Sequence, residues 1–273
     1  YKTNVKTDAN GEIKSIISKT ITFNSLEKDY YKILETVAPE GHMLYTNCIY
    51  VEVTKKLENG TYVVNEVNVY DGSTKLKCND NSKPVKPVKY ETSKSNGNTT
   101  ITLTVKDPKI KDGNFNLKLN KVSSINSSDP LSGAVFKIEK KENGNWKQIK
   151  FTTTNSNGEC TLLNNEKITN LNDDEYKITE TTAPYGFVKF DGSIEVKVPK
   201  KVDMTEGKYV IDNDKITLTV KDKNGNKITR NSPVSMDTKD GTITLKMKNE
   251  PQYDLALRKF ITSINGIAPK ESR

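Results

Sequence analysis

Apolar and polar residues alternate along most of this chain, and such alternation is typical of half-buried β-strands. No segment sustains helical spacing over several turns, and one short helical turn near LEKDYY (26–31) is left open. We therefore expect an all-β protein of short strands arranged in β-sandwiches. The clearest alternating runs are YVV (62–64), ITLTV (101–105), IEVKV (194–198), YVI (209–211), ITLTV (216–220) and ITLKM (243–247).

Turn signals separate these runs, because Asn, Asp and Gly tolerate the positive φ of tight hairpins. The run 79–97 is rich in Ser, Lys, Pro and Asn, and we interpret it as a loop insertion that corresponds to 224–241. These signals include Asn-Gly pairs at 10–11, 59–60, 143–144, 157–158 and 224–225, and Asp-Gly pairs at 71–72, 191–192 and 240–241.

The chain also repeats itself at long range. Three segments recur in similar form. They are YYKILETVAPEG near residue 31 and YKITETTAPYG near 176, ITLTVKDP (101–108) and ITLKMKNE (243–250), and FNLKLNKV (115–122) and YDLALRKF (253–260). A spacing of this size indicates tandem domains. We predict a first sandwich, 1–111, that lacks its opening strand, a complete sandwich, 112–250, and the opening strand of a third repeat in 251–273.

Composition excludes several classes of protein. The net charge is +8, but the lysines are scattered along alternating strands, so we expect a solvated surface and no nucleic-acid partner. No apolar run is long enough to enter a bilayer as a span. His42 is the only histidine, which argues against a Ser–His or Cys–His catalytic site.

The three cysteines, Cys48, Cys78 and Cys160, show no CxxC spacing, so we expect neither a metal nor a cofactor. We expect reduced thiols, with a Cys48–Cys78 bridge as the alternative.

Three strands each point one polar residue towards the core. Side chains alternate along a strand, so Lys121 shares the apolar face of the opening strand of the second unit. Glu180 shares such a face in the middle strand, and Asn249 does so in the closing strand. Burying a lone Lys or Glu is costly unless it is paired or neutral. The sequence therefore predicts that the three side chains meet.

Such a meeting has a chemical consequence. Desolvation favours the neutral amine of Lys121, which is a nucleophile. Glu180 would hydrogen-bond the Asn249 side-chain carbonyl, polarise it and move protons. Attack of Lys121 on the Asn249 side-chain carbon, with loss of ammonia, would give an uncharged amide cross-link. The alternative is a structural ion pair between Lys121 and Glu180 beside an ordinary Asn249.

These segments resemble the prealbumin-like domains of Gram-positive surface proteins, which include the B-type repeats of collagen adhesins and similar pilin domains. The segments that carry the resemblance are LKLNKVSSINSSDPLSGAVFKI, TNSNGECTL, YKITETTAPYGF and ITLKMKNEP. The resemblance implies tandem Ig-like sandwiches and a spontaneous Lys121–Asn249 isopeptide bond catalysed by Glu180.

The first unit departs from that pattern. It has Glu35 and Asp107 at the corresponding positions but no upstream lysine strand, so an unreacted pair is expected. Aspartate also serves as the acceptor in some such domains. Lys259, in the segment that matches the opening strand, is of the missing partner type. Strand addition between copies would bring Lys259 to Glu35 and Asp107 in a head-to-tail assembly.

We expect a structural stalk of a bacterial surface adhesin or pilus-like protein, extracellular and held at the cell wall by an anchor outside these residues. Its only chemistry would be a single autocatalytic turnover, so it would not be an enzyme. Its partners would be neighbouring repeats of the same chain. The alternative is an adhesin module that binds a host extracellular-matrix protein such as collagen, and this requires an exposed apolar patch.

Overall fold

The computed structural model describes residues 6–8, 24–78 and 87–253 of the 273-residue chain. The chain divides into two compact units, Tyr1–Lys109 (unit 1) and Ile110–Arg273 (unit 2). Strands dominate the described residues, which confirms the all-β class. Within these ranges, no helix is long and apolar enough to cross a membrane. Nearly all of 251–273, including Lys259, lies outside the described residues.

Unit 1 contains a four-stranded antiparallel sheet and a separate hairpin. The strands β1 to β4 are hydrogen-bonded in sequence order, and β5 pairs with β6. Residues from both parts share one core, in which Val51 and Val69 of the sheet lie with Val88 and Tyr90 of the hairpin. The strands are β1 (Asp29–Ile33), β2 (Ile49–Glu58), β3 (Thr61–Asp71), β4 (Thr74–Lys75), β5 (Val88–Ser95) and β6 (Asn98–Val105).

Two interpretations of unit 1 are corrected by the structure. The segment 79–97 is not wholly a loop, because strand β5 occupies Val88–Ser95 and pairs with β6 through an Asn96-Gly97 turn with positive φ at both residues. Lysine and serine on an exposed strand hid the alternation of Val88 and Tyr90, which are buried. The helical turn left open at 26–31 does not form, since β1 begins at Asp29.

Unit 2 is built from two larger sheets and a hairpin. One sheet has the order β10-β7-β17-β16, the other β15-β12-β11-β8-β9, and β13 pairs with β14. The strands are β7 (Gly113–Ser123), β8 (Val135–Glu142), β9 (Asn145–Thr153), β10 (Glu159–Ile168), β11 (Asp174–Thr182), β12 (Ser193–Val198), β13 (Lys200–Asp203), β14 (Lys208–Ile211), β15 (Thr217–Lys221), β16 (Val234–Lys239) and β17 (Thr242–Asn249), with a short 3-10 helix at Asn213–Lys215.

The two large sheets pack face to face. Phe115 of β7 and Tyr176 of β11 meet edge to face with ring centroids 6.1 Å apart, and both residues are buried. Side chains of alternate residues fill this interface, as expected for a sandwich. Leu117 and Leu119 of β7 and Leu245 of β17 have no solvent exposure.

The first and last strands among the described residues of unit 2 are neighbours. β7 and β17 run parallel, with Met247 opposite Lys121 and Asn249 opposite Ser123. A parallel pair has to be joined by a long connection, and here that connection is the rest of the unit. The chain therefore enters and leaves unit 2 along two adjacent, parallel strands.

Gly158 lies against the backbone of β7 at Lys121. Its φ is +70°, and a Cβ at this position would stand 2.3 Å from the Lys121 carbonyl oxygen. The Gly158 carbonyl accepts a hydrogen bond from the Lys121 N–H at 2.7 Å. A side chain at Gly158 would therefore push the β7 backbone away at Lys121.

We predict that Gly158→Ala destabilises unit 2 strongly. Left-handed backbone in a residue with a Cβ costs roughly 1–2 kcal/mol, and the backbone clash adds to that cost. Gly144→Ala is the matched control, since Gly144 has φ +84° but open space around it. Urea denaturation should show a clearly larger loss for Gly158→Ala, and equal losses would contradict the proposed close approach.

Candidate functional site

The structure brings Lys121, Glu180 and Asn249 together in the core of unit 2. Lys121 lies on β7, Glu180 on β11 and Asn249 at the end of β17, so the three residues come from two facing sheets. Their exposed fractions are 0%, 2% and 2%. Each residue ends an apolar face, and the alternation along each strand positions it inward.

The three side chains form a closed set of contacts. The Lys121 Nζ donates a very short hydrogen bond to the Asn249 Oδ1 and lies 3.2 Å from the Glu180 Oε1. The Asn249 Nδ2 donates to both carboxyl oxygens of Glu180, at 3.0 and 3.1 Å. Every pair among the three residues is therefore in direct polar contact.

Two further residues complete the site and were missed from the sequence. The Phe190 N–H donates to the Glu180 Oε2 at 2.7 Å, which fixes the carboxyl group. The Phe136 ring lies 5.6 Å from the Lys121 Nζ and shields it from water. The LSGAVFKI segment contained Phe136, but a backbone donor such as Phe190 has no side-chain signal in a sequence.

Burial controls the protonation of Lys121. Desolvation lowers the pKa of its amine to about 8 from an ordinary value of 10.5, and the neighbouring Glu180 carboxylate opposes this shift. A usable fraction of the amine is therefore neutral near neutral pH. A neutral amine with a free lone pair is the form that attacks a carbonyl carbon.

The amide of Asn249 is oriented differently from the expectation. Glu180 was expected to contact the Asn249 carbonyl, but in the structure the Asn249 Nδ2 faces Glu180 and the Oδ1 faces Lys121. A carboxylate accepts hydrogen bonds and an ammonium donates them, so this orientation satisfies both groups. It also places the nitrogen that would leave beside the group that can protonate it.

A surface cleft adjoins the end of β17. Its volume is about 410 Å³, and its lining includes Asn249, Phe190, Pro233 and Glu250. Neither Lys121 nor Glu180 lines this cleft, so the reactive side chains remain enclosed by the core.

Unit 1 repeats part of this arrangement. Glu35 accepts a hydrogen bond from the Tyr45 N–H at 2.7 Å, and Glu35 interacts directly with Asp107. Burial is the main cause that raises the pKa of Glu35, and the Asp107 carboxylate raises it further against the opposing hydrogen bond from Tyr45. Lys259 lies outside the described residues, so its predicted contact with this pair stays a prediction.

All three cysteines of the chain are free thiols, as expected.

Comparison with known proteins agrees with this fold. Residues 115–215 match the family model described as the SpaA prealbumin-like fold domain. This match confirms the predicted prealbumin-like fold for residues 115–215. None of the curated proteins matches the chain significantly.

Solved structures similar to the chain come from bacterial pili. A C-terminal fragment of the pilus adhesin SpaC from Lactobacillus rhamnosus GG is 21% identical over 86% of this chain and 80% of that chain, with a TM-score of 0.42. Domains D2 and D3 of the major pilin SpaD from Corynebacterium diphtheriae are 13% identical over 78% of this chain and 59% of that chain, with a TM-score of 0.28.

We predict that unreacted Lys121 gives unit 2 a distinctive pH dependence. Asn249→Ala removes the acceptor and keeps the amine. Between about pH 8 and 10.5 the unfolded chain binds a proton that the folded chain has lost, so the free energy of unfolding should rise with pH across this window. Urea denaturation at a series of pH values measures this rise.

The control for this measurement is the double variant Lys121→Met/Asn249→Ala. It retains every other lysine and tyrosine, so the difference between the two profiles isolates Lys121. Parallel profiles would show that Lys121 keeps its ordinary pKa in the folded unit.

Proposed function

We propose that this chain is a structural repeat region of a Gram-positive surface or pilus-like protein, and that unit 2 is locked by a self-catalysed Lys121–Asn249 isopeptide bond. The observation that carries the proposal is the buried contact of Lys121, Glu180 and Asn249 between the first and last strands of unit 2. The family match of residues 115–215 supports the same class of protein.

The geometry supports the following reaction. The neutral Nζ of Lys121 attacks the Asn249 Cγ, and Glu180 takes a proton from the amine and returns it to the departing nitrogen. The bond between Cγ and Nδ2 breaks and ammonia leaves, so the product is an amide between β7 and β17. The reaction removes the buried charge of the lysine, and this favours the product.

The location of the bond gives it a mechanical role. Force on the chain enters unit 2 along β7 and leaves along β17, which are parallel neighbours. Tension therefore shears these two strands in opposite directions. A covalent bond between Lys121 and Asn249 would carry that load, so the unit would not unravel.

The bond would also stabilise unit 2 at rest. It closes a loop between residues separated by 128 positions. By analogy with a disulfide, such a closure removes conformational entropy from the unfolded chain worth about 4–5 kcal/mol. Reducing agents would not open it.

The wider role rests on the same grounds. We infer an extracellular location, attachment to the cell wall through residues outside this sequence, and neighbouring repeats as the partners. Binding to a host matrix protein stays a prediction, because no contact among the described residues favours a particular ligand.

Intact mass tests the bond directly. The wild-type chain should weigh one ammonia less than its sequence mass, and Glu180→Gln should restore the full mass because proton transfer is lost. Glu139→Gln is a matched control, since Glu139 is a buried carboxylate paired with Lys137 and Lys177 away from the site. A wild-type chain at full sequence mass would refute the proposed bond.

Stability tests the consequence of the bond. Lys121→Met keeps most of the apolar volume but removes the amine, so the unfolding free energy of unit 2 should fall by about 4–5 kcal/mol. Lys118→Met, at an exposed position on the same strand, should change it little. Thermal denaturation and the rate of trypsin digestion measure both. Similar behaviour of the two variants would contradict the mechanical role.

A further inference from the structure

A loop next to the site joins the two sheets of unit 2. Residues 184–190, called the 184–190 loop, lie between β11 and β12 of one sheet, whereas residues 250–252 directly follow β17 of the other sheet. Two main-chain hydrogen bonds of 2.8 Å join these segments; they run from the Val188 N–H to the Glu250 carbonyl and from the Gln252 N–H to the Gly186 carbonyl. Hydrogen bonds therefore connect the two sheets at this end, in addition to the apolar side chains that pack between them.

The same loop holds the carboxyl group of the site. The Phe190 N–H, at the end of the loop, donates to the Glu180 Oε2 at 2.7 Å. Asn249 directly precedes Glu250, whose carbonyl the loop binds. One short loop is thus hydrogen-bonded both to the side chain of the glutamate and to the main chain beside the acceptor. The position of the loop therefore determines how the Glu180 carboxyl group faces the Asn249 amide.

The strand that carries Lys121 is attached to the same segment. Ser124, just beyond β7, donates through its Oγ to the Glu250 carboxyl group at 2.7 Å and through its N–H to the Asn249 carbonyl at 3.0 Å. Glu250 thus contacts the end of β7 through its side chain and the 184–190 loop through its carbonyl. The three chain segments that supply the reacting side chains are therefore connected through this one residue.

Unit 1 contains the same loop next to Glu35 and Asp107. The Met43 N–H donates to the Pro108 carbonyl at 2.8 Å, as the Val188 N–H does in unit 2. In each unit the loop also forms a β-bridge with the second residue after the acceptor, and its last residue holds the glutamate. The corresponding residues are Pro39 and Pro184, Gly41 and Gly186, His42 and Phe187, Met43 and Val188, and Tyr45 and Phe190. Only the proline and the glycine are identical, so what recurs is the set of main-chain contacts and not the side chains.

A tight turn at the start of the loop depends on Gly186. The Phe187 N–H donates to the Pro184 carbonyl at 3.1 Å, and Gly186 has φ +78° at the third position of this turn. This is the pattern of a type II turn, which requires a positive φ at that residue. Gly41 has φ +75° at the same place in unit 1. A residue that disfavours positive φ would therefore move the loop without changing any buried side chain.

We propose that the 184–190 loop positions Glu180 against Asn249, and that the amide bond forms only after residues 250–252 have docked on the loop. This inference rests on the proposed function and adds an order of events, in which the segment after β17 binds first and ammonia leaves second. Docking is reversible and the bond is not, so this order restricts the cross-link to a folded unit. The loop residues are positioning residues, because they act through the glutamate and the strand end.

The test measures the rate of ammonia loss in the full chain. Cell-free synthesis is stopped, aliquots are quenched in urea at successive times, and intact mass gives the fraction of chains that has lost ammonia. Val188→Pro removes the N–H that binds Glu250, and Phe187 before it lies in a β-bridge, an extended conformation that suits a following proline. We expect this variant to react roughly 10–100-fold more slowly, since small misplacements of reacting groups have effects of this size. Val188→Ala keeps the N–H and should react at the wild-type rate.

A second pair of variants acts on the turn. Gly186→Val disfavours the positive φ and should slow the reaction, whereas Gly186→Asn tolerates it and should react nearly as fast as wild type. Both variants place their side chain in open space, since no atom lies within 4 Å of a Cβ at this position. Equal rates for the two variants would contradict the role of the turn.

Stability measurements separate positioning from folding. In the Lys121→Met background, which cannot form the bond, urea denaturation shows whether Val188→Pro leaves unit 2 folded. Slow ammonia loss from a variant that is folded in this background supports the proposal. If Val188→Pro unfolds unit 2, the Gly186 pair, measured in the same background, decides between the two roles.

The mass of the wild-type chain separates this inference from the proposed function. A wild-type chain at full sequence mass would overturn both. A wild-type chain that has lost ammonia, together with equal rates in folded Val188→Pro and Val188→Ala, would overturn the role of the loop alone.

Discussion

The burial of Lys121 is the constraint on which the rest of unit 2 depends. An amine with no solvent exposure is tolerated only beside groups that accept its hydrogen bonds or remove its charge. Glu180 and Asn249 are those groups, and each must be delivered by a different strand. Three features position this contact: the facing of the two sheets, the parallel pairing of β7 with β17, and Gly158.

The same constraint supports the proposal that the site is chemical and not only structural. A buried ion pair contributes little net stability, because desolvation offsets the attraction between its charges. A lysine whose pKa is lowered to about 8 is already close to losing its proton. Conversion to an amide removes the buried charge altogether. Burial that is unfavourable for an ion pair would therefore favour the proposed cross-link.

Much of this arrangement could be predicted from alternation alone. Lys121, Glu180 and Asn249 each end an apolar face, and period-two spacing is enough to turn them inward. The Phe190 N–H could not be predicted in this way, since any residue except proline offers the same donor. Strand β5 was mistaken for a loop because its outward lysine and serine residues, and the prolines before it, outweighed Val88 and Tyr90. Local composition misleads where a strand buries only two side chains.

Comparison of the two units separates what local sequence determines from what the opening strand determines. Glu35 and Glu180 are held by the same backbone contact, although a lysine accompanies Glu180 alone in the described residues. The backbone contact thus accounts for the orientation of the glutamate in both units. The glutamate and the acceptor are set by β11 and β17, or by β1 and β6 and the residues that follow them. In unit 2, β7 adds the lysine to a glutamate and an acceptor that the other two strands position.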